Sequence, residues 1–255
     1  MKVVAITQAR MTSTRLPGKV MKIVAGKSLL AHHVERVARA HTIDAVVVAT
    51  TTNSTDDVIA AWCATEGVAC HRGPEDDVLR RYVGAARAHR ADVVVRVTSD
   101  CPLIDPEVID RTVSRFIERA GELDYASNRL VQTYPRGLDT EVLSARALFD
   151  ADREAVEPAD REHVTLFVWR QPNRFRLLNV SSGGDYSQHR WTVDTPEDFE
   201  LVRRMIEDLC PTNPEFGWRD CLACLDRNPD WFALNAHVRQ KELGLSLESA
   251  APARG

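Results

Sequence analysis

The sequence predicts an α/β protein, a mainly parallel mixed sheet with helices on both faces. Three observations predict it. Four short runs, "KVVAIT" (2–7), "DAVVVAT" (44–50), "VACH" (68–71) and "DVVVRVT" (92–98), are β-branched and almost continuously apolar, as strands covered on both faces must be. Amphipathic segments with helix-start signals lie between them. The chain, 255 residues with 44% hydrophobic and 27% charged, is long enough for one large α/β domain with a smaller appendage.

Taken in order, the first strand (2–7) leads into a polar loop. Ser28 then caps a helix carrying Leu29, Leu30, Val34 and Val37 on one face. After the second strand, Thr55 precedes a helix with Val58, Ile59 and Trp62; after the third, Asp77 precedes one with Leu79, Tyr82 and Val83. The fourth strand (92–98) is followed by Asp105-Pro106, which starts a helix with Val108, Ile109, Val113 and Phe116 and puts proline where its missing N–H costs nothing. Beyond about residue 120 the pattern loosens. Short strand-like pieces (124–127, 140–143, 174–180, 190–193) alternate with helices over 145–155 and 161–170, then a helix over 196–209 and a C-terminal helical appendage. Residues 1–210 form the main domain, 211–244 the appendage and 245–255 a disordered tail.

Charge and hydropathy exclude several classes. The net charge is −4, from 33 basic and 37 acidic residues, so a basic cluster in this chain is a local feature and nucleic acid is not the expected partner. The N-terminal apolar run is far below the ~20 residues that span a bilayer, so no membrane partner and a cytoplasmic location are expected. Six cysteines (63, 70, 101, 210, 221, 224) sit within apolar runs and read as reduced core thiols. Cys221-x-x-Cys224 has zinc-like spacing but no second pair, and core packing is the expected role.

The loop after the first strand, "QARMTSTRLPGKV" (8–20), concentrates Arg10, Arg15 and Lys19 among Thr, Ser, Gly and Pro. In an open parallel sheet ligands bind at the carboxyl ends of the strands. Backbone N–H groups there can cradle phosphate oxygens, Gly18 allows close approach, and the three cations match a polyphosphate. Neither a G-x-G-x-x-G nor a G-x-x-x-x-G-K-[ST] pattern follows the strand, so the loop holds phosphate by another design.

The loop resembles the signature of the CMP-sugar synthetases, the CTP-dependent cytidylyltransferases for 3-deoxy-manno-octulosonate and acylneuraminate, and most of all their spore-coat polysaccharide biosynthesis subgroup. Further marks follow in order: "RGPEDDVLRRY" (72–82), "VRVTSDCPLIDP" (95–106), "YPRGLDTEV" (134–142), "REHVT" (161–165) and "RWTVDTPEDFELV" (190–202). The resemblance covers residues 1 to about 240. It implies a glycosyltransferase-A-like, Rossmann-like fold and attack of an acceptor oxygen on the α-phosphorus of CTP with release of pyrophosphate.

By that resemblance Arg10, Arg15, Lys19 and Asp100 are catalytic. Ala9, Arg10, Thr12, Ser13, Arg15, Gly18 and Lys19 hold the nucleotide, with Thr50, Arg72 and Gly73 beside the cytosine by position. Arg72 can equally be an exposed strand-end charge. Asp100 and Asp194 are the implied Mg²⁺ ligands, and Asp194 in "DTPED" can also cap the next helix. Several relatives carry D-x-D there, whereas this chain has Thr192-Val193-Asp194. Tyr134, Arg136, Asp139, Glu141 and His163 line the acceptor side, although Arg136 can instead pair with Asp139 or Glu141. The acceptor is a 2-keto-3-deoxy sugar acid of nonulosonic type or a phosphonate. A homodimer built through residues 120–145 is expected. Two other readings are a metal-dependent glycosyltransferase of the same fold, which gives no reason for the 8–20 loop, and a catalytically silent nucleotide-binding protein, against which Lys19, Asp100 and Asp194 stand.

Overall fold

Apolar, β-branched runs make the strands, and the computed structural model shows where each one goes. It describes residues 1–239; the expected tail, 245–255, and the last residues of the expected appendage lie outside them. Strand β1 (Val3–Gln8) leads into the polar loop, in which Lys19–Met21 form one 3₁₀ turn, and then into a small ribbon, β2 (Ile23–Val24) and β3 (Lys27–Ser28). There follow α1 (Leu29–Ala38), β4 (Ala45–Thr51), α2 (Asp57–Thr65), β5 (Ala69–Gly73), α3 (Val78–Ala88), β6 (Val93–Thr98) and α4 (Pro106–Ile117). The second half contains β7 (Tyr125–Ser127), β8 (Glu141–Ser144), α5 (Ala145–Glu154), α6 (Pro158–His163), α7 (Leu166–Trp169), β9 (Leu177–Asn179), α8 (Pro196–Leu209) and α9 (Trp218–Arg227).

The main sheet has seven strands in the order β5-β4-β1-β6-β8-β7-β9. Its first four run parallel, while β8 is antiparallel to β6 and β7 and β9 is parallel to β7. Side-chain alternation sorts β1 between two layers. Val4 and Ile6 pack with Leu79 and Tyr82 of α3 and Leu148 of α5; Val3 and Ala5 pack with Val37 of α1 and Ile109 and Val113 of α4. Helix starts follow local chemistry: Ser28, Asp77 and Asp105 each accept a backbone N–H of the first turn, from Ala31, Arg80 and Val108. Among the described residues no helix is long and apolar enough to cross a membrane.

Three expectations are corrected. Helix α2 begins at Asp57 after a 3₁₀ turn over Ser54–Asp56, two residues later than Thr55 suggested. The single helix expected over 161–170 is split into α6 and α7 at Val164, whose φ of 55° is unfavourable for a β-branched residue. Burying Val164 completely in the core, and a hydrogen bond from the next residue, Thr165, to Glu141, hold the break. Residues 190–193 are extended but belong to no strand of the sheet, touching it through one bridge, Arg136 to Arg190.

The boundary expected at 210/211 is not a gap in packing. Trp218, Cys221, Cys224 and Leu225 of α9 share one buried cluster with Trp191, Leu201 and Met205. The first part of the expected appendage is thus built onto α8, and both thiols of the C-x-x-C pair are core side chains.

Candidate active site

At the carboxyl ends of the strands lies an open cleft of about 1,870 Å³. That exceeds the ~300–1,000 Å³ typical of one drug-sized ligand and leaves room for two substrates side by side. Three segments meet there: the loop after β1, the turn after β6 and the extended 190–194 segment.

The loop is shaped from inside. Gly18 adopts a left-handed φ of 68°, and its N–H donates to Met11 O at 2.9 Å, closing the loop on itself. Asp56, almost fully buried, accepts the Met11 N–H at 2.8 Å together with the hydroxyls of Thr50 and Thr51, tying the loop to the end of β4. Ala9, Arg10, Ser13, Arg15 and Lys19 consequently face the cleft.

The extended segment is brought in by a close approach. Gly137, with φ 107°, lies so near Trp191 and Thr192 that a Cβ there would stand 2.7 Å from the Trp191 carbonyl carbon. Backbone hydrogen bonds then run Trp191 N–H to Arg136 O and Val193 N–H to Asp100 O, each 2.7 Å. The second of these sets Asp194 beside Asp100.

One ammonium joins the two aspartates. Lys19 Nζ, from a nearly buried side chain, donates to Asp100 at 3.1 Å, to Asp194 at 2.9 Å and to the Val193 carbonyl at 2.7 Å. Burial opposes the charge on Lys19, but Asp100 and Asp194 outweigh it and its pKa stands raised. Burial likewise works against the Asp100 carboxylate, yet the Lys19 charge and hydrogen bonds from Thr98, Lys19 and Cys101 bring it down to about 2. Arg15 and Arg190 hold the other Asp194 oxygen at 3.0 and 2.8 Å.

Asp194 is not the helix cap. Thr195 caps α8 in a reciprocal box with Asp198, which also takes the Asp194 N–H and the Arg190 guanidinium. Asp194 is thereby left to the cleft. Thr192, in the place where several relatives have a first aspartate, donates to the Asp100 carbonyl. Two carboxylates that already converge on one cation, kept ionised and facing a phosphate site, suit a divalent ion completed by phosphate oxygens.

Four expected residues stand apart from the cleft or are internally committed. Thr50 is fully buried with its hydroxyl on Asp56, because its side chain points back from the end of β4. Arg72 turns its guanidinium to the carbonyls of Thr51 and Asn53 and to Asp57, bracing the loop after β4. Gly73 ends β5 with its carbonyl taken by Thr52 N–H. Tyr134 is buried edge-on against Trp218, ring centroids 5.6 Å apart.

Glu141 reaches the cleft wall but has no capacity to spare. It pairs with Arg96, accepts from Tyr125 Oη at 2.6 Å and Thr165 Oγ1 at 2.7 Å, and lies 3.7 Å from Arg129. Burial pushes its pKa up, but Arg96 and Arg129 bring it down to about 2. Its placement as an acceptor contact is therefore corrected to a support for two arginines. Arg136, Asp139 and His163 do line the cleft, beyond β6 on the β7–β8 side. Among the described residues Arg136 forms no ion pair with Asp139 or Glu141.

Residues that sequence reasoning missed share this space. Arg129 and Glu75 face the cleft, and Arg96 underlies it. A lone charge inside the apolar run "DVVVRVT" was the available signal for Arg96. Arg129 and Glu75 carried none.

With phosphate cations at one end of the cleft, paired aspartates at its centre and further cations beyond, the fold and site define a nucleotidyltransferase. The chain belongs to the cytidylyltransferase family, whose model matches residues 4–240. It is 34% identical over 232 residues to the spore coat polysaccharide biosynthesis protein SpsF of Bacillus subtilis (strain 168), covering 88% of this chain and 94% of that one. The structure of a cytidylyltransferase from Leptospira borgpetersenii serovar Hardjo-bovis (strain JB197) superposes with a TM-score of 0.87 at 33% identity, over 91% of this chain and 97% of that one. A CMP:2-keto-3-deoxy-manno-octonic acid synthetase complexed with CTP shares the fold, with a TM-score of 0.61 at 20% identity over 82% of this chain and all of the other. Family membership decides against the glycosyltransferase reading.

Proposed function

We propose that the chain transfers the cytidylyl group of CTP to an anionic acceptor, a 2-keto-3-deoxy sugar acid of nonulosonic type or a phosphonate, and releases pyrophosphate. The observation that carries this reading is the presence, in one cleft, of the Lys19–Asp100–Asp194 cluster and of Arg136 with no acidic partner among the described residues.

The acceptor oxygen attacks the α-phosphorus, the bond from that phosphorus to the bridging oxygen breaks, and the electron pair leaves with pyrophosphate. Such a displacement needs alignment and charge neutralisation more than a nucleophilic side chain. Arg10, Arg15 and the loop N–H groups neutralise the departing charge. Lys19 keeps Asp100 and Asp194 ionised and aimed at one point. Mg²⁺, held by these two carboxylates, would neutralise phosphate charge and ease deprotonation of the acceptor hydroxyl. His163 is neutral near pH 7, since burial lowers its pKa, and can hydrogen-bond the acceptor without adding charge.

An acceptor carboxylate or phosphonate close to the triphosphate is repelled by about 3 kcal/mol for unit charges ~5 Å apart at an effective dielectric of ~20. Arg136 offsets that with a guanidinium suited to bidentate binding. Arg136→Ala is expected to raise the acceptor KM at least tenfold and leave the CTP KM within about twofold. Parallel movement of both constants, or of neither, rejects Arg136 as the anchor. The function itself is tested by measuring pyrophosphate release from CTP against a panel of 2-keto-3-deoxy sugar acids and phosphonates. Release with none of them, from protein that binds CTP, overturns the acceptor class.

A further inference from the structure

The nucleotide end of the cleft contains a carboxylate that phosphate binding does not use. Glu75 follows β5 and faces the cleft with about a third of its side chain exposed. Its Oε1 accepts from Thr12 Oγ1 at 2.8 Å and lies 3.6 Å from Arg10 Nη1, while Oε2 accepts from Asn53 Nδ2. The backbone is fixed as well: Arg81 Nη1 donates to the carbonyls of Pro74 and Glu75. Three donors from two different loops therefore orient a group with about four acceptor sites, and one remains for a ligand.

The sheet order says which part of the nucleotide meets it. Asp100 and Asp194 mark the reacting phosphate beyond β6, and Arg129, Arg136 and His163 occupy the β8–β7 side. The rest of the nucleotide extends the other way, over β1 and β4 toward β5, where Glu75 stands. A carboxylate repels phosphate, so its ligand there is an uncharged donor. Cytosine offers one, its exocyclic amine, where uracil presents a carbonyl acceptor.

We propose that Glu75 binds the exocyclic amino group of cytosine and is the residue that distinguishes CTP from UTP. The proposal rests on the reading that CTP is the nucleotide. Thr12, Asn53 and Arg81 are its positioning residues, and they explain why the loops after β1, β4 and β5 are laced together at this end.

Calorimetric titration of the full chain with CTP and with UTP tests it. Wild-type protein is expected to favour CTP by about tenfold or more, the scale of one base-edge contact. Glu75→Gln, nearly isosteric and carrying both a donor and an acceptor, should bring the two nucleotides within about threefold at an unchanged melting temperature. Asn53→Ala should weaken both in proportion and keep the ratio. A Glu75→Gln protein that retains the wild-type ratio, or loses both nucleotides equally, overturns the assignment and leaves Glu75 a loop anchor. Equal binding of both nucleotides by wild-type protein overturns the CTP reading itself, and does so before any substitution is made.

Discussion

Replacing Asp100 by Asn is expected to lower kcat by about a thousandfold while the fold stays intact. The magnitude follows from what the side chain does: it supplies one full charge to a site whose work is electrostatic, and single preorganised groups of that kind are worth about two to three orders of magnitude. The fold survives because Lys19 keeps two of its three partners, Asp194 and the Val193 carbonyl. Asp194→Asn should lower kcat comparably and also raise the CTP KM, since Arg15 and Arg190 are both held by that carboxylate. Steady-state kinetics across Mg²⁺ concentrations, with circular dichroism melts as control, make the comparison. Near-native turnover of either variant at limiting Mg²⁺ would show that its carboxylate only steadies Lys19.

The first half of the fold was legible because its strands are buried on both faces and its helices carry amphipathic stripes and caps. Both signals are local. The positions of Arg10, Arg15, Lys19 and Asp100 were legible for the same reason, since each sits directly after a readable strand. Asp194 was ambiguous in sequence, as "DTPED" scans as a helix start from either Asp194 or Thr195. Only the contact of Val193 with Asp100, 93 residues away in the chain, separates the two. The errors at Thr50, Arg72 and Tyr134 have one origin. Strand-end position was read as cleft position, but whether such a side chain faces ligand or core depends on partners such as Asp56, Asp57 and Trp218 that sequence spacing does not reveal. The break at Val164 is likewise tertiary, imposed by the Thr165–Glu141 bond against a sequence that scans as continuous helix.

Glu141→Gln is expected to destabilise the protein by about 3–5 kcal/mol, because it leaves Arg96 charged, nearly buried and without its counter-ion. For a chain of this length that lowers Tm by on the order of 10 °C. The effect should depend on pH in one direction. The Glu141 pKa is depressed from 4.5 to about 2 in the folded protein, so its contribution is complete above about 4.5 and is lost as the pH falls toward 2. Urea unfolding of wild type and variant at pH 7 and at pH 4 should therefore show a smaller gap at the lower pH. Folded variant should also bind acceptor more weakly, because Glu141 is the principal group raising the pKa of Arg129 and holds that guanidinium at the cleft. A variant as stable as wild type, with its acceptor KM raised and Arg129→Ala without effect, would return Glu141 to the role of a direct acceptor contact.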